Sequence, residues 1–168
     1  MKLLKTIGFL FSFFFLTGCA TSRPVLVETT IENFDVKLSR SQAFDASLVV
    51  AQTLNLSVAV LEKQSGLIRF EAATLSAAQL DQYCEYPFVN SSNEPWDTFQ
   101  EWNSRSLKRG GGNVRGKVTI NILITEKEGA SNISMRSNWV AYNAAETEPC
   151  NSNKIFEKDF ISKLKSQM

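Results

Sequence analysis

The chain has 168 residues, with 18 Lys and Arg against 17 Asp and Glu, no His and three Cys. That length fits one domain, and a formal charge of +1 argues against a general nucleic-acid binder, which carries a clear basic excess. Without His there is no Ser-His-Asp or Cys-His catalysis, no His-liganded zinc and no His-based pH switch.

Lys2 and Lys5 open the chain with positive charge, and an apolar run from Ile7 to Leu16 follows, with Phe9, Phe11, Phe13, Phe14 and Phe15 in it. A membrane span needs about 20 apolar residues, so this shorter run reads as the h-region of a signal peptide. It ends in Leu16-Thr17-Gly18-Cys19, which resembles the lipobox of bacterial lipoproteins. The resemblance implies that residues 1–18 are removed, that Cys19 carries a diacylglyceryl thioether and that its new amine is acylated. Ala20, where that family often has Asp for inner-membrane retention, implies the periplasmic face of the outer membrane. Several acyl chains, at about 0.8 kcal/mol per buried CH₂, make such an anchor stable. The membrane, reached through covalent lipid, is therefore the first expected partner.

Removing residues 1–18 leaves 150 residues with 16 basic and 17 acidic side chains, and takes 5 of the 12 Phe away. Residues 19–32 are expected to be a lipidated tether and residues 33–168 a single periplasmic domain. With Cys19 lipidated, Cys84 and Cys150 remain. An oxidising compartment favours a disulfide between them over two buried thiols. No C-x-x-C pair points to redox catalysis.

In chain order, Phe34, Val36 and Leu38 alternate with polar residues and predict a strand over 33–38. Ser39 or Ser41 caps a helix in which Phe44, Leu48, Ala51 and Leu54 recur at helical spacing, ended by Asn55. Residues 56–60 alternate as a strand, Lys63-Gln64-Ser65-Gly66 makes a turn, and residues 67–71 return with Ile68 and Phe70 on one face. Thr74 or Ser76 opens a short helix carrying Leu80, Tyr83 and Cys84. Residues 85–116, rich in Asn, Ser and Gly, read as an insertion with one helical patch from Pro95 to Asn103. The cleanest strand is 117–125, where Val118, Ile120, Ile122 and Ile124 point one way. It turns at 126–130 into a partner strand over 131–142 with Ile133, Met135 and Trp139 inward. Ser152 or Asn153 caps a last helix lined by Phe156, Phe160 and Leu164.

This order predicts an α+β domain, a two-layer antiparallel sheet of hairpins with helices packed on one face. The other face of the sheet must be solvated, covered by the insertion or used for binding. Thr119, Asn121 and Thr125 suit a wet face, and Leu123 is the exception. The positions Phe44, Leu48, Leu54, Val58, Gly66 and Ile68, with the terminal hairpin and helix, resemble the BamC (NlpB)-like lipoprotein domain over residues 33–72 and 117–165. The resemblance implies a helix-grip-like arrangement. The chain departs from that family in having one domain, a short N-terminal stretch, the 85–116 insertion and the Cys84/Cys150 pair.

The run Gly111-Gly112-Asn113-Val114-Arg115-Gly116-Lys117-Val118 nearly spells a P-loop. Its last residue has no hydroxyl for Mg²⁺, and it leads into a strand where a phosphate cradle must open a helix. Asp97 and Glu101 stand at i, i+4, as a carboxylate pair for glycoside hydrolysis can, but also as ordinary surface-helix acids do. No Asp-rich calcium loop is present. No catalytic residue, metal site or cofactor is therefore expected, and the protein is not read as an enzyme. The interaction candidates are the aromatic stripe Trp96, Phe99 and Trp102 and, from the basic cluster Arg105, Lys108, Arg109, Arg115 and Lys117 beside the glycines, the first four. A stripe at this spacing can instead staple the insertion to the core, and the basic cluster can be a solvated loop. The function these readings imply is a non-catalytic binding or assembly component of the cell envelope with a protein partner. The alternatives are a carbohydrate- or lipid-binding module for peptidoglycan or lipopolysaccharide, or a periplasmic enzyme inhibitor.

Overall fold

A computed structural model describes residues 23–24, 30–89 and 97–167. The described elements run β1 (Arg23–Pro24), β2 (Thr30–Val36), α1 (Arg40–Thr53), β3 (Ser57–Glu62), β4 (Leu67–Ser76), α2 (Ala77–Tyr83), β5 (Cys84–Glu85), β6 (Phe88–Val89), α3 (Phe99–Lys108), β7 (Arg115–Lys127), β8 (Ala130–Tyr142), β9 (Thr147–Ser152) and α4 (Ile155–Lys165). The expected signal segment 1–18 and Cys19 lie outside the described residues, as do Pro95 and Trp96.

The β7–β8 hairpin is the axis of the sheet, with both strands 13 residues long. Glu128 and Gly129 join them with φ of 43° and 81°, the left-handed pair that a tight hairpin turn requires because it matches the twist of the strands. β4 lies against β7 and β3 against β4, all antiparallel. The far side of β8 is shared: β2 pairs with its first half, from Ser131 to Ser137, and β9 with its second, from Trp139 to Tyr142. β5 closes on β9. β1 and β6 form a separate two-stranded pairing.

The alternation foreseen for the two long strands holds. Ile68 and Phe70 of β4, Val118, Ile120, Ile122 and Ile124 of β7, and Ile133, Met135, Trp139 and Ala141 of β8 are all buried. Against them sit Phe44, Val50 and Ala51 of α1, Leu80 of α2, Phe99 and Trp102 of α3, and Phe156, Phe160 and Leu164 of α4. The domain is thus α+β, an antiparallel sheet with its helices on one face. On the opposite face Arg69, Thr125, Arg136 and Asn138 are exposed, and Leu123 is 42% exposed.

Local signals account for most boundaries. Ser39 begins α1 through a capping box with Gln42, and Asn55 leaves it in the left-handed region at φ 55°; short polar side chains tolerate that conformation. Ser76, not Thr74, caps α2, again with a box to Gln79. At the end of β4 the register shifts between Ala73 and Leu75, which brings Leu75 opposite Gly116. That residue is held to glycine by packing: a Cβ there would meet the side chain of Leu80.

Several expectations need correction. β2 begins at Thr30, which takes Thr30–Glu32 out of the expected tether and pairs them with Met135–Ser137. The helical patch of the insertion starts at Phe99 rather than near Pro95 and runs on to Lys108. Cys84 is not in α2 but begins β5. β9 is a strand that the polar run Thr147–Ser152 did not announce. The residue at the start of α4 is Lys154, in the left-handed region at φ 67°, while Ser152 and Asn153 accept hydrogen bonds from the Lys154 and Ile155 N–H groups at 3.0 and 3.1 Å. Cys84 and Cys150 form the expected disulfide, with Cα atoms 5.9 Å apart.

Candidate functional site

The candidate residues gather at one end of the sheet, where β7 begins at Arg115, β8 ends at Tyr142 and β9 begins at Thr147. α2 and α3 pack together there, and side chains fix the joint. Asp81 of α2 caps α3 from outside, its carboxylate accepting the Phe99 N–H at 2.7 Å and the Gln100 N–H at 3.2 Å. Thr98 adds a capping box with Glu101. These interactions satisfy amide groups that a helix start otherwise leaves unpaired, and an anion there also suits the helix dipole.

Phe99 and Trp102 are 0% and 5% exposed. Their rings stack edge-on against Tyr86 at 5.3 and 6.1 Å. They pack α3 against Tyr86 and the core, so neither Phe99 nor Trp102 offers the exposed contact expected of an interaction residue. Their i, i+3 spacing is that of a helix's buried face as much as of a binding face.

Asp97 and Arg105 form an ion pair beside this aromatic cluster. Burial pushes the Asp97 carboxyl above the usual carboxylate range, and its hydrogen bond with Glu101 adds to the effect against the pull of Arg105. The same hydrogen bond from Asp97, with those from Thr98, holds Glu101 below its ordinary value. Burial likewise raises the Tyr86 hydroxyl, opposed by Arg105. The Asp97–Glu101 pair therefore serves the start of α3 and one arginine, not a cleft between two carboxylates.

The glycine run is tied to α3. The Ser106 hydroxyl donates to the Gly112 carbonyl at 2.8 Å, the Val114 N–H to the Asn103 side chain at 2.8 Å, and the Ala144 N–H to the Gly111 carbonyl at 3.1 Å. It leads into β7, as its failure to match a phosphate cradle required. Lys108, Arg109 and Arg115 stay exposed around it, next to Leu107 at 49% exposure. Arg105, by contrast, is committed to Asp97. Of the basic cluster, Lys108, Arg109 and Arg115 thus remain exposed.

One buried acid escaped the sequence reading. Glu157 of α4 is 1% exposed. It accepts hydrogen bonds from the Ser137 hydroxyl, from Ser152 at 2.8 Å and from the Trp139 indole at 3.4 Å. The available signal was Ser137, a polar residue at an inward position between Met135 and Trp139, which demands a partner inside the core.

A cleft of about 160 Å³ between the start of α1 and the β3–β4 turn is lined by Arg40, Ser41, Phe44 and Lys63. Arg40 is used by the Lys63 and Gln64 carbonyls, and the Lys63 ammonium lies 5.7 Å over the Phe44 ring. Among the described residues no group of three or more His, Cys, Asp or Glu is placed to hold a metal, and no helix is long and apolar enough to cross a membrane.

No family model and no curated protein matches this chain. Among solved structures it is similar to the crystal structure of a DUF4468 family protein from Bacteroides ovatus ATCC 8483, with a TM-score of 0.36 and 12% identity over 72% of this chain. The match spans 59% of that protein's length.

Proposed function

We propose that this chain is a lipoprotein of the outer membrane, held at the periplasmic face by lipid on Cys19, whose α+β domain binds another envelope protein without catalysing a reaction. The observation that carries this reading is the run from Lys2 to Cys19: two lysines, the apolar-rich run Ile7 to Leu16, and a lipobox that begins on the last residue of that run. The Cys84–Cys150 disulfide supports it, because such bonds persist in oxidising compartments. The engagement of Asp97 and Glu101 at the start of α3, and of Asp97 with Arg105, supports reading them as structural acids rather than a hydrolytic pair.

The carbohydrate-binding alternative loses support, because the Trp102 ring is occupied by Phe99 and Tyr86. A lipid- or lipopolysaccharide-binding surface would have to use the exposed cations instead, and lysozyme and protease assays would expose an inhibitor. The direct test is Cys19→Ser with membrane fractionation, in which the variant is expected to leave the membrane fraction. Retention there refutes the anchor. In-cell photocrosslinking from Arg69 and Arg136, on the open face of the sheet, is expected to yield a protein adduct. Adducts to glycan alone refute the protein partner.

A further inference from the structure

The short β1–β6 pairing sets how the domain stands relative to its anchor. Arg23 is paired with Val89 and Pro24 with Phe88. Only four peptide links separate Arg23 from Cys19, and four extended residues span at most about 14 Å. A lipid on Cys19 would therefore hold the body close to the bilayer, by the end at which β6 sits.

The register identifies that end. β5 runs along β9 from Cys84 opposite Ser152 to Glu85 opposite Asn151. It thus heads toward Thr147, which is paired with Tyr142, itself opposite Arg115. The chain continues through Tyr86, whose ring touches Phe99 and Trp102 of α3, and enters β6. β6 follows two residues later, which leads it to the end of the sheet where β7 begins, on the side of Tyr86 and the first turn of α3.

That end is chemically distinct. Leu107 is 49% exposed, Lys108 and Arg109 follow it in sequence and are exposed, and Arg115 is exposed at the start of β7. Among the described residues no carboxylate lies within ion-pair range of these three cations. Of the acids nearby, Asp97 holds Arg105 and Glu101 caps the first turn of α3, while Glu146 and Glu148 lie at the same end, on the β8–β9 turn and β9, outside ion-pair range of the three cations. An apolar side chain flanked by unpaired cations suits an anionic lipid–water interface, where the cations meet headgroup phosphates and the alkyl groups reach inward.

We propose that the surface formed by Leu107, Lys108, Arg109 and Arg115 rests on the bilayer that holds the Cys19 lipid, with its cations against anionic phospholipid headgroups. This rests on the lipid-anchor reading and adds an orientation to it: the open face of the sheet, with Arg69 and Arg136, stays clear for a partner.

The test uses the full lipidated protein in vesicles of phosphatidylethanolamine and phosphatidylglycerol, with Leu107→p-benzoylphenylalanine compared with Leu123→p-benzoylphenylalanine. Leu123 lies on the opposite face, eight residues or about 27 Å along β7 from Arg115. Flotation with the vesicles is scored before irradiation. Phospholipid adducts are expected at position 107 and not at 123. Their yield at 107 should fall about fivefold or more in phosphatidylcholine vesicles or with Lys108→Glu and Arg109→Glu. Equal adducts at both positions, or none at 107 in protein that floats, overturn the orientation while leaving the anchor intact. Protein that fails to float refutes the anchor, and the orientation falls with it.

Discussion

Glu157 provides the sharpest test of how the C-terminal helix is held. Its carboxylate is buried at 1% exposure and accepts from Ser137, Trp139 and Ser152, so it joins α4 to β8 and β9 at one point. Glu157→Ala leaves the Ser137 hydroxyl, itself 2% exposed, with only its 3.3 Å contact from the Trp139 indole. A buried polar group deprived of its partner costs about 1–3 kcal/mol, and the cavity left by the side chain adds to that. The expected loss is about 2–4 kcal/mol, or roughly 6–12 °C in melting temperature for a domain of this size. Glu157→Gln keeps an acceptor and the volume, and should lose about 1 kcal/mol or less. Thermal melts of the oxidised protein, followed by circular dichroism at pH 7, measure both. A Glu157→Ala melting point within about 1 °C of the parent refutes the network as a stabilising joint.

Three further outcomes are expected. Replacing both Cys84 and Cys150 by Ser opens a bridge between residues 66 apart in sequence; chain entropy for such a loop gives a loss of about 4 kcal/mol, read as a lower urea midpoint. Gly116→Ala drives a methyl group into Leu80, which is 0% exposed, and should cost about 1–3 kcal/mol in chemical denaturation without altering the disulfide. Burial, reinforced by Glu146, raises the Glu148 carboxyl in the folded state. The folded protein then holds that proton more tightly than the unfolded chain, so stability falls as pH rises from the unfolded value through the folded one. Glu148→Gln should remove this decline and raise the melting point at pH 7, and an unchanged pH profile would count against the assignment.

Much of this fold could be read from residue order because the signals were local. The Val118, Ile120, Ile122, Ile124 row and its Ile133, Met135, Trp139 counterpart are period-two patterns that only a half-buried strand satisfies, and both lie inward. Ser39, Ser76 and Thr98 begin helices through boxes completed three residues later by Gln42, Gln79 and Glu101. What escaped depends on partners distant in sequence. β9 carries Glu148, Pro149 and Asn151, with no apolar rhythm, and becomes a strand because β8 and β5 lie on either side of it. Asp81 caps a helix 18 residues further on. Arg105 is indistinguishable from Lys108 in sequence, and only the fold places Asp97 beside it. The aromatic spacing of Phe99 and Trp102 was visible, but whether that face meets solvent or core is decided by Tyr86, 13 residues earlier.

The division of one edge of β8 between two strands has a kinetic consequence. β2, from the start of the domain, pairs Thr30 with Ser137 and Val36 with Ser131, partners about a hundred residues apart. β9, near its end, occupies the rest of the same edge. Neither strand can find its place until the β7–β8 hairpin exists, and that hairpin lies late in the chain. The contact order is therefore high, and such topologies fold slowly because distant segments must be brought together before their pairing is rewarded. A ribosome or a translocation pore releasing this chain from its N-terminus would deliver β2 long before its partner strand. Completion of the sheet is thus deferred until nearly the whole domain has emerged.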